Sequence, residues 1–314
     1  MRRAGIVFVA VLSLLAFVVL NRGLAPPTPN PPGSFSFGVM GDAPYDLIEE
    51  FRFRLVLQDL DAHDLTTVIS VGDIFWRPCD DPMYQRARDQ FNGLRHPVIY
   101  TPGDNEWFDC WEAGSGGYEP RERLARLRQI FYSTPAQSLG GRRIPLVSQP
   151  AFIENVRWTD RAIVFATVHL IGSGNGRSPF PNRTEDDVVA SKKRTEAAAM
   201  WLRETFAAAK AANAPAVVVA MQGSVFDEEA KDREPFEPFQ TVLREEAARF
   251  ERPVLIAHGD QHEYTVDRPL GLANLTRLEV PGSPNVGWVR VTVTPGARDP
   301  FAFQPHVIPR WKLW

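Results

Sequence analysis

Four Gly-Asp pairs define the chemistry open to this chain: Gly41-Asp42, Gly72-Asp73, Gly103-Asp104 and Gly259-Asp260. The first three each follow a short β-prone run, in order along the chain. Glycine lets the backbone turn sharply at a strand end. Ligand sites in open α/β sheets lie just outside the carboxyl ends of the strands. Asp42, Asp73 and Asp104 are therefore placed to converge on one crevice. Carboxylates crowded together repel and are driven toward protonation. A divalent cation removes that penalty, and hard cations prefer oxygen ligands. One Gly-Asp alone is a turn or a helix cap. Three at successive strand ends indicate a site.

The elements that must position these carboxylates alternate along the chain. Strands are expected at Phe35–Met40, Leu65–Val71 and Pro97–Thr101, and paired strands at Ala151–Val156 and Ala162–His169. Further strands are expected at Ala216–Met221, Pro253–Ala257, Thr276–Val280, Val286–Val293 and Phe301–Phe303. Helical spacing of apolar residues predicts helices over Leu47–Leu60, Glu119–Phe131, Glu185–Ala212 and Glu237–Phe250. This alternation predicts an α/β domain in which helices cover sheets. No internal repeat is present.

The order of the motifs resembles the calcineurin-like metallophosphoesterases, which carry GDxH, GDxxD, GNH(D/E), a later histidine after a buried strand, and GHxH. The matching stretches are Gly41-Asp42-Ala43-Pro44, Gly72-Asp73-Ile74-Phe75-Trp76, Gly103-Asp104-Asn105-Glu106, Met221-Gln222-Gly223 and Gly259-Asp260-Gln261-His262. The resemblance spans most of the chain from about Phe35 to Val293, and it is specific as an ordered set rather than motif by motif. The run Gly103-Asp104-Asn105-Glu106-Trp107 resembles a divergent exported bacterial branch. The resemblance implies a four-layer α/β/β/α sandwich with two mixed sheets, and hydrolysis of a phosphate ester. It also implies divalent ions, two by analogy, held by Asp42, Asp73, Asp104, Gln222, Asp260 and His262, with Asp73 as the bridge.

The departures are chemical. Pro44 replaces the first-motif histidine, Asn105 the histidine beside the leaving group, Gln222 a histidine ligand, and Asp260 the first histidine of the last motif. Oxygen therefore replaces imidazole at two ligand positions, which moves preference toward manganese, magnesium or calcium and away from zinc or iron. Asn105 and Glu106 occupy the catalytic third motif, but an asparagine is no general acid. His169 is the candidate proton donor, with His258 second. Losing a proton donor weakens catalysis by roughly 10²–10⁴-fold without abolishing it. The loop Gly172–Gly176 is either a mobile surface loop or a source of backbone N–H groups for a phosphate. Trp76, Trp107, Trp111 and Tyr118 either wall a substrate pocket or pack the loops. His63 and His96 are expected in loops without a role. A catalytically inactive protein using the same crevice to bind a metal or a phosphorylated ligand is the alternative.

Composition bounds the rest. Of 314 residues, 44% are hydrophobic and 23% charged, which suits a packed core. The net charge of −3 argues against broad nucleic-acid binding. Ala4–Leu20 is apolar behind Arg2 and Arg3, so residues 1–24 are expected to be an uncleaved membrane anchor or a cleaved signal segment. The expected location is outside the cytoplasm, periplasmic, on the inner membrane, and the expected substrate a phosphorylated small molecule or lipid. Residues 25–34 are a Pro-rich spacer, and residues 35–314 the metallophosphoesterase-like domain. Cys79 and Cys110 pair in an oxidising compartment or stay free. Paired, they would close a loop of about 30 residues, worth roughly 3–4 kcal/mol in the chain-entropy view, and pin two site loops together.

Overall fold

The computed structural model describes residues 27–75, 77–134, 136–226 and 234–310. The apolar segment 1–24 and Trp76 lie outside them. Among the described residues, no helix is long and apolar enough to cross a membrane.

The strands are β1 (Phe35–Met40), β2 (Val68–Ser70), β3 (Val98–Tyr100), β4 (Val147–Gln149), β5 (Phe152–Asp160), β6 (Ile163–Thr167), β7 (Val217–Ala220), β8 (Val254–His258), β9 (Thr265–Asp267), β10 (Leu275–Glu279), β11 (Gly287–Val293) and β12 (Phe301–Val307). The helices are α1 (Leu47–Ala62), α2 (Asp81–Gly93), α3 (Pro120–Phe131), α4 (Glu185–Ala211) and α5 (Glu237–Phe250). One sheet has the order β12-β11-β1-β2-β3 and the other β4-β5-β6-β7-β8-β10-β9. Both are mixed. β1, β2 and β3 run parallel in register Gly38–Val68–Val98, whereas β11 and β12 pair antiparallel. In the second sheet β6, β7, β8 and β10 run parallel, flanked by antiparallel β5 and β9.

The two sheets face each other over a core that includes Phe37, Val39, Ile69 and Val291 from one side and Phe165, Val218, Leu255 and Leu278 from the other. α1, α2 and α3 cover the outer face of the first sheet, through Val56, Leu60, Tyr84, Phe91 and Leu127. α4 and α5 cover the second, through Leu202, Phe206, Phe239 and Leu243. The result is the four-layer α/β/β/α sandwich with two mixed sheets that the motif order implies. Strands covered on both faces read as unbroken apolar runs, as Val217-Val218-Val219-Ala220 does. Each fully buried side chain of this size contributes about 1.5–3 kcal/mol before entropy is counted.

Local signals set the helix starts. Asp46 caps α1, accepting from the N–H groups of Ile48 and Glu49 at 2.8 Å each. Thr184 and Asp187 form a capping box at α4. Helix α2 has no counterpart in the expected elements. Its residues are largely polar, and Tyr84, Ala87 and Phe91 alone are buried. The Pro-rich segment does not hang free along its whole length. Arg290 donates to Thr28 Oγ1 at 2.6 Å and to Asn30 Oδ1 at 2.9 Å, which ties the segment to β11.

Cys79 and Cys110 form a disulfide, with Cα atoms 5.7 Å apart and both residues fully buried. It joins the loop after β2 to the loop after β3.

Candidate functional site

The carboxyl ends of the parallel strands of both sheets meet at one edge of the sandwich. Asp42 follows β1, Asp73 follows β2, Asp104 follows β3, Gln222 follows β7, and Asp260 with His262 follows β8. These six residues come together. The backbone N–H of Asp260 donates to Asp42 Oδ1 at 3.0 Å, joining one sheet to the other. Gln222 Nε2 donates to Asp73 Oδ2 and to Asp260 Oδ1, both at 3.2 Å. The backbone N–H of Asn105 donates to Asp73 Oδ1 at 3.2 Å, and Ser224 N–H to Asp260 Oδ2 at 3.2 Å. Glycine is needed where these carboxylates approach backbone. A Cβ at Gly172 would lie 2.1 Å from Asp260 Oδ1 and 2.8 Å from Asp104 Oδ2, and one at Gly259 2.3 Å from Asp42 Oδ2.

Backbone strain gathers here. Asp42, Asp73, Asp260 and His262 have φ of 53°, 52°, 84° and 64°, the left-handed region that non-glycine residues avoid. Each such residue costs about 1–3 kcal/mol and persists only where its surroundings fix it.

The site is short of positive charge. Burial pushes all four aspartates up; neighbouring aspartates raise Asp42, Asp73 and Asp260 further, and Asp109 raises Asp104. Asp42 and Asp73 lie well above the usual carboxylate range, Asp104 is at about 7 and Asp260 at about 6. Glu279, close by, is also raised to about 7, chiefly by burial. Among the described residues, no lysine or arginine is among the main groups acting on the four aspartates. Asp42 Oδ2 is buried without a hydrogen-bond partner among the described residues. An orphaned buried oxygen amid unpaired carboxylates is the environment a divalent cation relieves. The donor set Asp42, Asp73, Asp104, Asp260 and His262 fits such an ion.

His262 is prepared for that role. Its Nδ1 lies 2.9 Å from the carbonyl of Ser283, which only accepts, so Nδ1 carries the proton and Nε2 offers a lone pair. Tyr45, absent from the motif series, puts its hydroxyl 3.3 Å from that Nε2 and 3.2 Å from Asp73 Oδ2. Its signal in the sequence is slight: a tyrosine directly after the proline that displaces the motif histidine.

Other expected residues do different work. Gln222 Oε1 accepts the Gly172 backbone N–H at 2.6 Å. A backbone N–H can only donate, so the amide is fixed with its NH₂ toward the carboxylates, the reverse of a ligand's orientation. Glu106, expected to be catalytic, is a loop staple. Its buried carboxylate accepts from the backbone N–H groups of Gly103, Asp73 and Ile74 and so locks the second and third motifs together. Burial raises it to about 7 while those bonds pull it down. Asn105 is buried beside Asp73 and holds it through its backbone.

His169, expected as the proton donor, is fully buried, and both ring nitrogens are unpartnered among the described residues. It packs against Trp107 and lies 3.9 Å from Glu154. Burial, then the charges of Arg194 and Arg128, hold it well below its ordinary pKa. His258 is likewise buried, with Nδ1 2.7 Å from the carbonyl of Gly259 and its pKa lowered to about 4 by burial. Neither histidine reaches the carboxylates through any hydrogen bond.

The Gly172–Gly176 segment is not a surface loop. Ser173, Gly174 and Asn175 form a left-handed turn with φ of 50–59°, and Gly172, Asn175 and Gly176 are buried. Asn175 and Arg194 anchor it from within. Trp107 packs under Arg194, and Tyr118 under Arg123, so these two aromatics build the loops. His96 is buried, and His63 ends α1.

His63 belongs to a second Asp–His group. Asp59, His63 and His306 each place one ligand atom within 4.8 Å of the others, a tighter trio than any in the motif site among the described residues. Its groups largely meet one another, although His306 Nε2 is buried without a partner among the described residues. Trp288 Nε1 and His306 Nδ1 reach Asp59 Oδ2 at 2.8 and 3.0 Å, and His63 Nδ1 lies 2.8 Å from the Asp59 carbonyl.

No family model matches the chain, nor does any curated protein. Solved structures similar to it include a 5'-nucleotidase from Candida albicans, at 10% identity and a TM-score of 0.46 over 90% of this chain. The chain spans only 53% of that protein's length. A phosphatase from Mycoplasma pneumoniae is similar at 12% identity and a TM-score of 0.43, over 88% of this chain and 93% of its own. A serine/threonine protein phosphatase from Saccharomyces cerevisiae is similar at 10% identity and a TM-score of 0.36, over 96% of this chain and 89% of its own. At these scores the likeness is one of outline, and the chemistry of the site rests on its residues.

Proposed function

We propose that this protein is a metal-dependent phosphoesterase working outside the cytoplasm, with a site built mainly from oxygen ligands. One observation carries the reading. Four aspartates, three buried and Asp260 partly so, meet at the carboxyl ends of two sheets; among the described residues no lysine or arginine is among the main groups acting on them, and one of their oxygens has no partner. Asp42, Asp73, Asp104, Asp260 and His262 would hold the metal, with Asp73 central because it touches Tyr45, Asn105 and Gln222 together. Two ions of manganese, magnesium or calcium suit this oxygen-rich set better than zinc or iron. The metal would supply Lewis acidity toward a phosphoryl oxygen and a nucleophile at neutral pH. The chain's own residues orient and exclude. Glu106 fixes the loops that carry Asp73 and Asp104, Ser283 sets the tautomer of His262, and Gly172 allows close approach. The substrate class is a phosphate ester of a small molecule or a lipid, with the apolar segment 1–24 holding the protein at the membrane.

The orientation of Gln222 favours a second reading. An amide NH₂ bridging Asp73 and Asp260 suits a site that binds without turning over. Metal content of the purified full chain, measured alongside hydrolysis of generic phosphomonoesters and diesters in manganese, separates the two. Stoichiometric metal with turnover that disappears in Asp73→Ala supports the enzyme. Metal without turnover supports the binding protein. No metal under any condition removes both.

A further inference from the structure

Tyr45 lies outside the motif series, yet its hydroxyl stands within the site. Proline occupies position 44, where the resembling family's first motif has histidine, and Tyr45 directly follows it. Tyr45 Oη is 3.2 Å from Asp73 Oδ2 and 3.3 Å from His262 Nε2, and the two rings lean together with centroids 5.3 Å apart. The backbone N–H of Tyr45 donates to Glu49 Oε2 at 2.8 Å. The other Glu49 oxygen accepts from Ser283 Oγ at 2.7 Å, and the Ser283 carbonyl accepts the Nδ1 proton of His262. One hydrogen-bonded circuit therefore fixes both the phenol and the imidazole.

The phenol of a tyrosine stays protonated at neutral pH, so in this arrangement it donates to Asp73 or to His262 Nε2. Those are two of the atoms that would hold a cation, and a phosphoryl group drawn to that cation would lie beside the phenol.

We propose that Tyr45 donates a hydrogen bond to a non-bridging oxygen of the phosphoryl group bound at this site. The inference rests on the phosphoesterase reading above. It gives a directed donor to a site in which the resembling family's histidines are replaced at positions 44, 105, 222 and 260.

The test compares the manganese-loaded full chain with its Tyr45→Phe variant, using inorganic phosphate as the probe. Phenylalanine keeps the ring against His262 and removes only the hydroxyl. Titration calorimetry is expected to give equal manganese stoichiometry in the two proteins and phosphate affinity at least about tenfold weaker in Tyr45→Phe, the effect of one charge-assisted hydrogen bond. Tyr45→His, which restores a donor on a smaller ring, is expected to regain part of the loss, and it serves as the second variant should Tyr45→Phe fold poorly. Equal phosphate affinity in wild type and Tyr45→Phe overturns the inference. So does loss of manganese from Tyr45→Phe, since Tyr45 would then act on the ion and not on the anion. A wild type that hydrolyses phosphate esters while Tyr45→Phe binds phosphate unchanged removes the inference alone. A wild type that binds neither manganese nor phosphate removes the phosphoesterase reading with it.

Discussion

Two groups of Asp and His lie inside this molecule, and they handle buried charge in opposite ways. At Asp59 a single carboxylate is met by the indole of Trp288 and the imidazole of His306, while His63 is held by the Asp59 carbonyl. The rings stack over it, His306 on Trp288 at 4.3 Å and His63 edge-on to His306 at 4.8 Å. Donors and acceptors largely balance, with His306 Nε2 buried without a partner among the described residues, and the cluster clasps the end of α1 to β11 and β12. At the strand ends the balance fails. Asp42, Asp73, Asp104 and Asp260 share a few backbone N–H groups, two amides and one phenol, and among the described residues no lysine or arginine donates to them. Proximity alone would choose the Asp59 trio as the metal site. Crowding chooses the other, because carboxylates that raise one another's proton affinity gain much from an ion, whereas a lone carboxylate met by two ring donors gains little.

Several substitutions break or sharpen that contrast. The largest effect is expected at Asp73. Asp73→Asn should lower kcat/KM for a phosphate ester by about 10³-fold or more, since several kcal/mol of charge stabilisation leave with the metal. Asp59→Asn should leave kcat/KM within a few-fold once the protein is folded. Steady-state kinetics on the two variants decides between the clusters.

The next effect is on stability. Replacing Cys79 and Cys110 together by alanine should lower unfolding free energy by about 3 kcal/mol. Chemical denaturation measures it, and an unchanged midpoint would mean that the bond does not constrain the chain. Asp59→Asn should cost about 1–3 kcal/mol, because the indole of Trp288 and the ring of His306 lose a charged partner in the core. Read by thermal melting, that loss should appear with and without manganese alike.

The smallest effect is on pH dependence. Asp104 and Glu106 at about 7, and Asp260 at about 6, hold protons in the fold that the unfolded chain releases near pH 4. A raised pKa contributes stability that is complete below about pH 4 and is lost as pH rises through 6–7. His169 and His258, depressed by burial, act the other way, giving stability above about 6.5 that fades as pH falls. The carboxylates outnumber them. The metal-free protein should therefore melt lower at pH 8 than at pH 6, and manganese should flatten or reverse that slope. A metal-free protein with the same melting temperature at both values would mean that the carboxylates are less crowded than described.

Much of the site could be read from the sequence because its ligands stand at fixed offsets from apolar strands. Val68-Ile69-Ser70 leads to Asp73, and Val254–His258 leads to Asp260 and His262, so strand ends and aspartates are visible together. The α/β class followed from the same alternation, and the four-layer sandwich from the family resemblance of the motif order. What could not be read depends on distant partners. Glu106 looks catalytic by motif, and only the folded loops show its carboxylate spent on three backbone N–H groups. His169 ends an apolar strand as a site histidine would, yet its ring faces Trp107 and Glu154. Helix α2 hides because its apolar stripe is thin, although Asp80 as cap and the spacing of Tyr84, Ala87 and Phe91 were signals for it. Strands β4 and β9 are three residues each, at the edges of their sheet, too short for a period to register. The glycine-rich turn at 172–176 reads as a loop in composition, and its left-handed path is set by burial of Asn175 against Arg194.

The most direct test of the central claim is a manganese titration of the metal-stripped full chain, its Asp73→Asn variant and its Asp59→Asn variant. The account predicts stoichiometric binding in wild type and in Asp59→Asn, and none in Asp73→Asn. Binding that survives Asp73→Asn and disappears in Asp59→Asn would contradict it.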